Sequence, residues 1–227
     1  MIKQLTLLFM TLSQAAHTNA QVPPELLAFG HHKQIPENLA KNILTALSFY
    51  PELRDTRIHF ILKENIRGSV MQAQPVFHTL LRKRAHRRYR IHISEEFKLV
   101  NARQSITEIP DTVMIGWIGH ELGHILDYEG RTNKGLMHFG YRYVLDPSFV
   151  KQAERVADTL AVARGMGRHI IATKRFILDH ASLPQAYKDK IARLYLSPDV
   201  ILEQVQQLEA KALKDDLPQR HQDGKEH

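Results

Sequence analysis

His120-Glu121-Leu122-Gly123-His124 sets two imidazoles four positions apart, with a carboxylate beside the first. On an α-helix four positions make slightly more than one turn. Both rings then leave from one face and can reach a single ion, while Glu121 lies where it can hold a water beside that ion. A catalytic zinc takes three protein ligands and keeps one position for water, so the motif calls for a third ligand. Glu154, thirty positions beyond His124, is the candidate; it stands in Glu154-Arg155-Val156-Ala157-Asp158, with Asp158 one turn further along the same face. In such a pair one carboxylate can bind the metal while the other accepts the N–H of a ligand histidine and sets its tautomer.

Context decides whether this spacing is chemistry or accident. Between Val113 and Leu126 the only formally charged residue is Glu121, and Ile115, Trp117, Ile118, Leu122 and Ile125 surround the motif. A helix so apolar is expected to be buried, where two histidines and a glutamate need partners or a metal. Gly119 and Gly123 each cost roughly 1 kcal/mol relative to alanine inside a helix. They suggest close approach of a second helix, for which Ala153, Ala157 and Ala161 offer a small-residue stripe. The plainer readings are ordinary small core positions, and carboxylates on a wet face paired with Lys151 and Arg155.

The combination of His120-x-x-x-His124 around Glu121 with Glu154-Arg155-Val156-Ala157-Asp158 resembles the gluzincin metallopeptidases, a group that includes thermolysin and the HtpX-like and ImmA-like peptidases. The resemblance spans residues 112–165, about a quarter of the chain. It implies His120, His124 and Glu154 as zinc ligands, Glu121 as catalytic base and Asp158 as acceptor for His120. The longer histidine motif of the metzincins is absent, since Asp127 stands where that pattern requires glycine and no third histidine follows at the needed spacing. The membrane helices of HtpX-like enzymes are not expected here, and a leader peptide is unusual for an ImmA-like protein.

The elements that must position these residues follow from period and punctuation. Leu39, Ile43, Leu44 and Leu47 recur at helical spacing and stop before Pro51. Residues 56–62, 69–81 and 87–94 read as strands, expected to form a small antiparallel sheet. Its last strand, with Arg88, Arg90 and His92, is the expected edge for an extended peptide and would favour acidic side chains. The basic run 82–88 reads as a solvated turn or, more sharply, as a polyanion site. Residues 113–128 form the motif helix; 131–147, rich in Gly and Tyr, read as a connector whose His138, Tyr141, Arg142 and Tyr143 could donate to an oxyanion. Helices are expected over 149–164, 169–180, 184–196 and 198–213. The fold class is α+β and zincin-like: a small sheet followed by a mainly helical half that contains the active-site helix.

The 227 residues, 43% hydrophobic and 24% charged, suit one globular domain. Met1-Ile2-Lys3, the apolar run from Leu5 to Leu12 and the small residues before Ala20 read as a signal peptide over 1–20. A lead-in segment over 21–35, a peptidase domain over 36–213 and a flexible charged tail over 214–227 complete the expected organisation. The expected location is periplasmic or secreted, without a stable membrane anchor. With no cysteine, thiolate chemistry and disulfides are excluded. A formal charge of +7 alone does not argue for nucleic acid, because aromatics are not interleaved with the basic run. The reading is hydrolysis of a peptide or protein substrate with one zinc ion, the water activated by zinc and Glu121. The alternatives are a zinc-stabilised binding protein without catalysis and a metal-free helical interaction protein.

Overall fold

The computed structural model describes residues 22–64, 66 and 68–223, with side chains to residue 215. The expected signal peptide lies outside these residues. The fold is mixed α+β, with small sheets and a mostly helical second half. Strands β1 (Lys33–Gln34), β2 (Arg57–Lys63), β3 (Met71–Pro75) and β4 (Arg88–Ser94) form one sheet in the order β1-β2-β4-β3. A hairpin of β5 (Glu96–Lys98) and β6 (Arg103–Ser105) stands apart from it.

The expected antiparallel sheet is corrected to a mixed one. β2 pairs with β4 in parallel, Ile58 opposite Tyr89 and Phe60 opposite Ile91, and only β3 runs antiparallel to β4. Alternation of apolar residues specifies which face of a strand is buried but not which strand lies beside it. After β2 the chain swings to the outer edge as β3 before returning through the slot between them as β4. β4 is therefore paired on both sides and cannot take an added peptide strand; the free edge next to the helices is β3. The lead-in segment also departs from its irregular reading, with a 3₁₀ turn over Pro24–Gly30 and β1 closing the other edge of the sheet.

One face of the sheet, with Ile58, Phe60, Tyr89, Ile91 and Ile93, is buried in the main apolar core. The helices are α1 (Ala40–Ser48), α2 (Asp111–Gly130), α3 (Asn133–Leu145), α4 (Pro147–Ala161), α5 (Gly167–Asp179), α6 (Gln185–Leu194) and α7 (Pro198–Asp223). α2 is the axis of the domain, packed by α1, α4, α5 and β3. Its apolar residues lie all round, as a central helix requires, and the run from Val113 to Ile125 is wholly buried. The connector expected over 131–147 is largely α3, entered through Thr132, whose hydroxyl accepts from the Gly135 N–H. α7 continues to Asp223, past the expected end of regular structure at Leu213.

Two glycines on α2 allow its neighbours to close in. A Cβ at Gly123 would lie 2.6 Å from the Ala157 carbonyl oxygen on α4, and one at Gly116 would lie 2.3 Å from that of His169 on α5. Gly119 faces the Met166 side chain rather than the alanine stripe. Between α4 and α5, Gly165 takes φ +81°, a left-handed conformation open to glycine at little cost. The break there redirects the chain so that α4 and α5 both pack on α2. No helix among the described residues is long and apolar enough to cross a membrane.

Candidate metal centre

α2 and α4 cross at Gly123 and Ala157, which brings one turn of each helix face to face. His120 and His124 project from α2 and Glu154 from α4, and together they form a buried group that could hold a metal ion. The Nε2 atoms of His120 and His124 converge on the same Glu154 oxygen, at 3.0 and 3.4 Å. Around a tetrahedral ion with bonds of about 2.0–2.1 Å, ligand atoms stand roughly 3.3 Å apart, so these separations suit such an ion.

The surrounding bonds set the donors. His120 Nδ1–H donates to Asp158 Oδ1 at 2.9 Å, which leaves the Nε2 lone pair of a neutral ring aimed at the Glu154 carboxylate. Two lone-pair-bearing atoms at that distance repel unless a cation, either a proton or a metal, lies between them. With a proton there, burial pulls the His120 pKa down but the hydrogen bonds to Asp158 and Glu154 outweigh it, raising it to about 9. Burial likewise opposes the charge on Glu154, yet His124 and His120 hold its carboxyl well below the ordinary range. Tyr143 fixes the other Glu154 oxygen by donating its hydroxyl hydrogen.

Asp158, fully buried, joins three segments of the chain. Besides His120 it accepts from Lys174 Nζ at 3.0 Å and from the Leu196 backbone N–H at 3.1 Å. Burial raises its carboxyl, but the Lys174 charge and the His120 hydrogen bond more than offset that. Lys174, itself only 3% exposed, sits 4.0 Å over the Tyr195 ring, and Tyr195 lies 5.2 Å from the His120 ring. Glu121 is turned toward the sheet, where its Oε2 accepts the Ala73 N–H from β3 at 2.6 Å. Burial pushes its carboxyl above the ordinary value, partly countered by the charges of His120 and His124.

The group opens on a cleft of 400 Å³ lined by all of β3 on one side and by Leu136, Phe139 and Tyr143 of α3 on the other. All five residues singled out by spacing therefore meet in one place. Of the four oxyanion donors suggested by sequence, Tyr143 alone lines the cleft, and its hydroxyl is engaged by Glu154. His138 and Tyr141 are exposed, and Arg142 pairs with Asp146 at 2.6 Å. Sequence reasoning did not find Lys174, Tyr195 or the Ala73 N–H. A signal existed for Lys174, because Ile170 and Ile177 place it on the apolar side of α5. None existed for Tyr195, which follows the end of α6, nor for a backbone amide.

No protein-family model, no curated protein and no solved structure matches this chain. The reading of the site rests on its own chemistry.

Proposed function

We propose that this chain is a zinc-dependent peptidase of the gluzincin type, exported and acting on a polypeptide laid in the cleft beside β3. The observation that carries the reading is the convergence of two imidazole Nε2 atoms on one buried carboxylate oxygen, with the outer nitrogen of His120 tied to a second carboxylate. Two imidazoles and a carboxylate suit zinc, and the Asp158 contact fixes a ligand tautomer in the manner of catalytic zinc sites. A purely structural site has no use for Glu121.

His120, His124 and Glu154 would hold the ion, which when bound supplies a Lewis acid that polarises a peptide carbonyl and acidifies water. Glu121 is the base. Its raised pKa and its place beside the histidines suit it to take the proton of the attacking water and return it to the leaving amine. The Ala73 N–H orients that carboxylate and couples it to the strand along which substrate lies. Tyr143 keeps Glu154 oriented. Burial first, and then the charge of Glu154, hold the Tyr195 phenol protonated, so it remains a hydrogen-bond donor close to His120 for the developing oxyanion.

The test is zinc per chain by elemental analysis, with hydrolysis of a peptide library, in wild type, Glu121→Ala and Glu154→Ala. The expected outcome is one zinc in wild type and Glu121→Ala, weakened binding in Glu154→Ala, and hydrolysis lost in both variants. A folded wild type that takes up no metal when zinc is supplied sinks the proposal and leaves a buried polar network. Zinc without hydrolysis leaves a binding protein.

A further inference from the structure

The outward face of the main sheet carries a concentration of positive charge that the metal centre does not use. Strands β2, β3 and β4 contain no Asp or Glu. Arg57 stands beside Arg88, and His59 beside Arg90, in the parallel register. Neighbouring strands lie about 4.8 Å apart and alternate residues along one strand about 7 Å apart, so like charges are held close on a rigid grid, an arrangement that costs stability. Among the described residues none of Arg57, Lys63, Arg88 and Arg90 has a carboxylate within 4.0 Å. Positive side chains often protect sheet edges from aggregation, but β4, which carries Arg88 and Arg90, is paired on both sides and has no free edge to protect.

Arg57, Arg88 and Arg90 border a groove of 450 Å³, with His32 and His78 at its sides. His32 has φ +58°, the one non-glycine residue with positive φ among those described. Burial and then the charges of Lys63 and Arg90 keep His92, on the same face, below its ordinary pKa, as expected in a cationic field without a counter-ion. The groove begins one residue along the chain from where the cleft ends. β3 lines the cleft as far as Pro75, and the next residue, Val76, lines the groove while its N–H still pairs with Arg88.

We propose that this face binds an acidic segment of the same polypeptide whose neighbouring residues occupy the metal cleft. The proposal rests on the peptidase reading and adds a substrate class to it: chains with a Glu- or Asp-rich run a few residues from the scissile bond. Carboxylates spaced along an extended segment match the spacing of Arg88 and Arg90 on one strand, and the closeness of the two surfaces at Pro75 and Val76 puts both within reach of one chain.

The test uses the full zinc-loaded chain and its Arg88→Ser/Arg90→Ser variant, two exposed positions whose replacement is checked by thermal melting and zinc content. Fluorescence anisotropy is measured with a short labelled poly-glutamate peptide, a poly-lysine peptide and a single-stranded oligonucleotide. Cleavage is measured on two peptides that share one apolar segment, one of them extended by a run of glutamates. Expected are salt-sensitive binding of poly-glutamate, about tenfold weaker in the variant, and a lower KM with unchanged kcat for the extended peptide in wild type only. Equal KM values for the two peptides in wild type, with no poly-glutamate binding, overturn the proposal. Tighter binding of the oligonucleotide than of poly-glutamate also overturns it and gives the face to nucleic acid. Poly-glutamate binding without cleavage of either peptide supports the acid-binding face while sinking the peptidase reading.

Discussion

Lys174 reaches from α5 into the metal centre, its Nζ 3.0 Å from Asp158 Oδ1. Lys174 neutralises Asp158 with both side chains buried, and removal of one partner from a buried ion pair costs about 3–5 kcal/mol. Lys174→Met, close in length and unable to pair, is expected to lose about that much in denaturant melts. Asp158→Asn keeps the shape but removes the charge facing both His120 and Lys174. It is expected to weaken zinc about 10–100-fold in a chelator competition, with the fold retained when zinc is saturating. At this scale the sequence was most legible. His120 and His124, like Glu154 and Asp158, stand four positions apart on one helix, and that interval translates directly into a shared face. For Lys174 only its place on the apolar side of α5 was legible; its pairing with Asp158 was not, because that partner lies across a helix–helix contact that no interval reports.

At the level of elements, the site depends on how closely α2 and α4 approach. Gly123→Ala would force a Cβ to within 2.6 Å of the Ala157 carbonyl oxygen, which is backbone and cannot swing away. Overpacking of this kind costs roughly 1–3 kcal/mol, and here the strain also moves Glu154 away from the two histidines. The expected result is a lowered melting temperature together with weakened zinc binding, both measured on the purified variant. Legibility was uneven among the elements. The amphipathic helices and strands β2 and β4 came from clear periods, whereas the strand expected over 69–81 stops at Pro75 and gives way to a 3₁₀ turn over Phe77–Leu81, and α3 was hidden by Gly135 and Gly140. The parallel pairing of β2 with β4 was hidden because strand order and direction are tertiary facts. The basic run after β3 also divides: Arg87 is buried, donating to Asn133 Oδ1 and to the Tyr128 and Arg131 carbonyls at the end of α2, while its neighbours face solvent.

For the whole molecule, proton and metal compete for one position. A histidine whose folded pKa is about 9, against 6.5 when unfolded, contributes stability that is fully present below 6.5 and is lost as pH rises through about 9. Metal-free protein is therefore expected to lose this contribution between those values. Zinc, which requires the His120 lone pair, is expected to add more to the melting temperature at about pH 9 than at about pH 6. Calorimetry of the metal-free and zinc-loaded chain at the two values measures both trends; an equal zinc increment at both would show that no proton is displaced from His120. The left-handed turn at Gly165 bears on when the centre comes together. It brings Lys174 of α5 back to Asp158 of α4 across a shorter stretch of chain than the 38 positions that separate Asp158 from His120. Contacts of short sequence separation cost less loop-closure entropy. The Asp158–Lys174 pair is then expected to close before His120 joins it, which makes ion capture a late event in the life of the newly made chain.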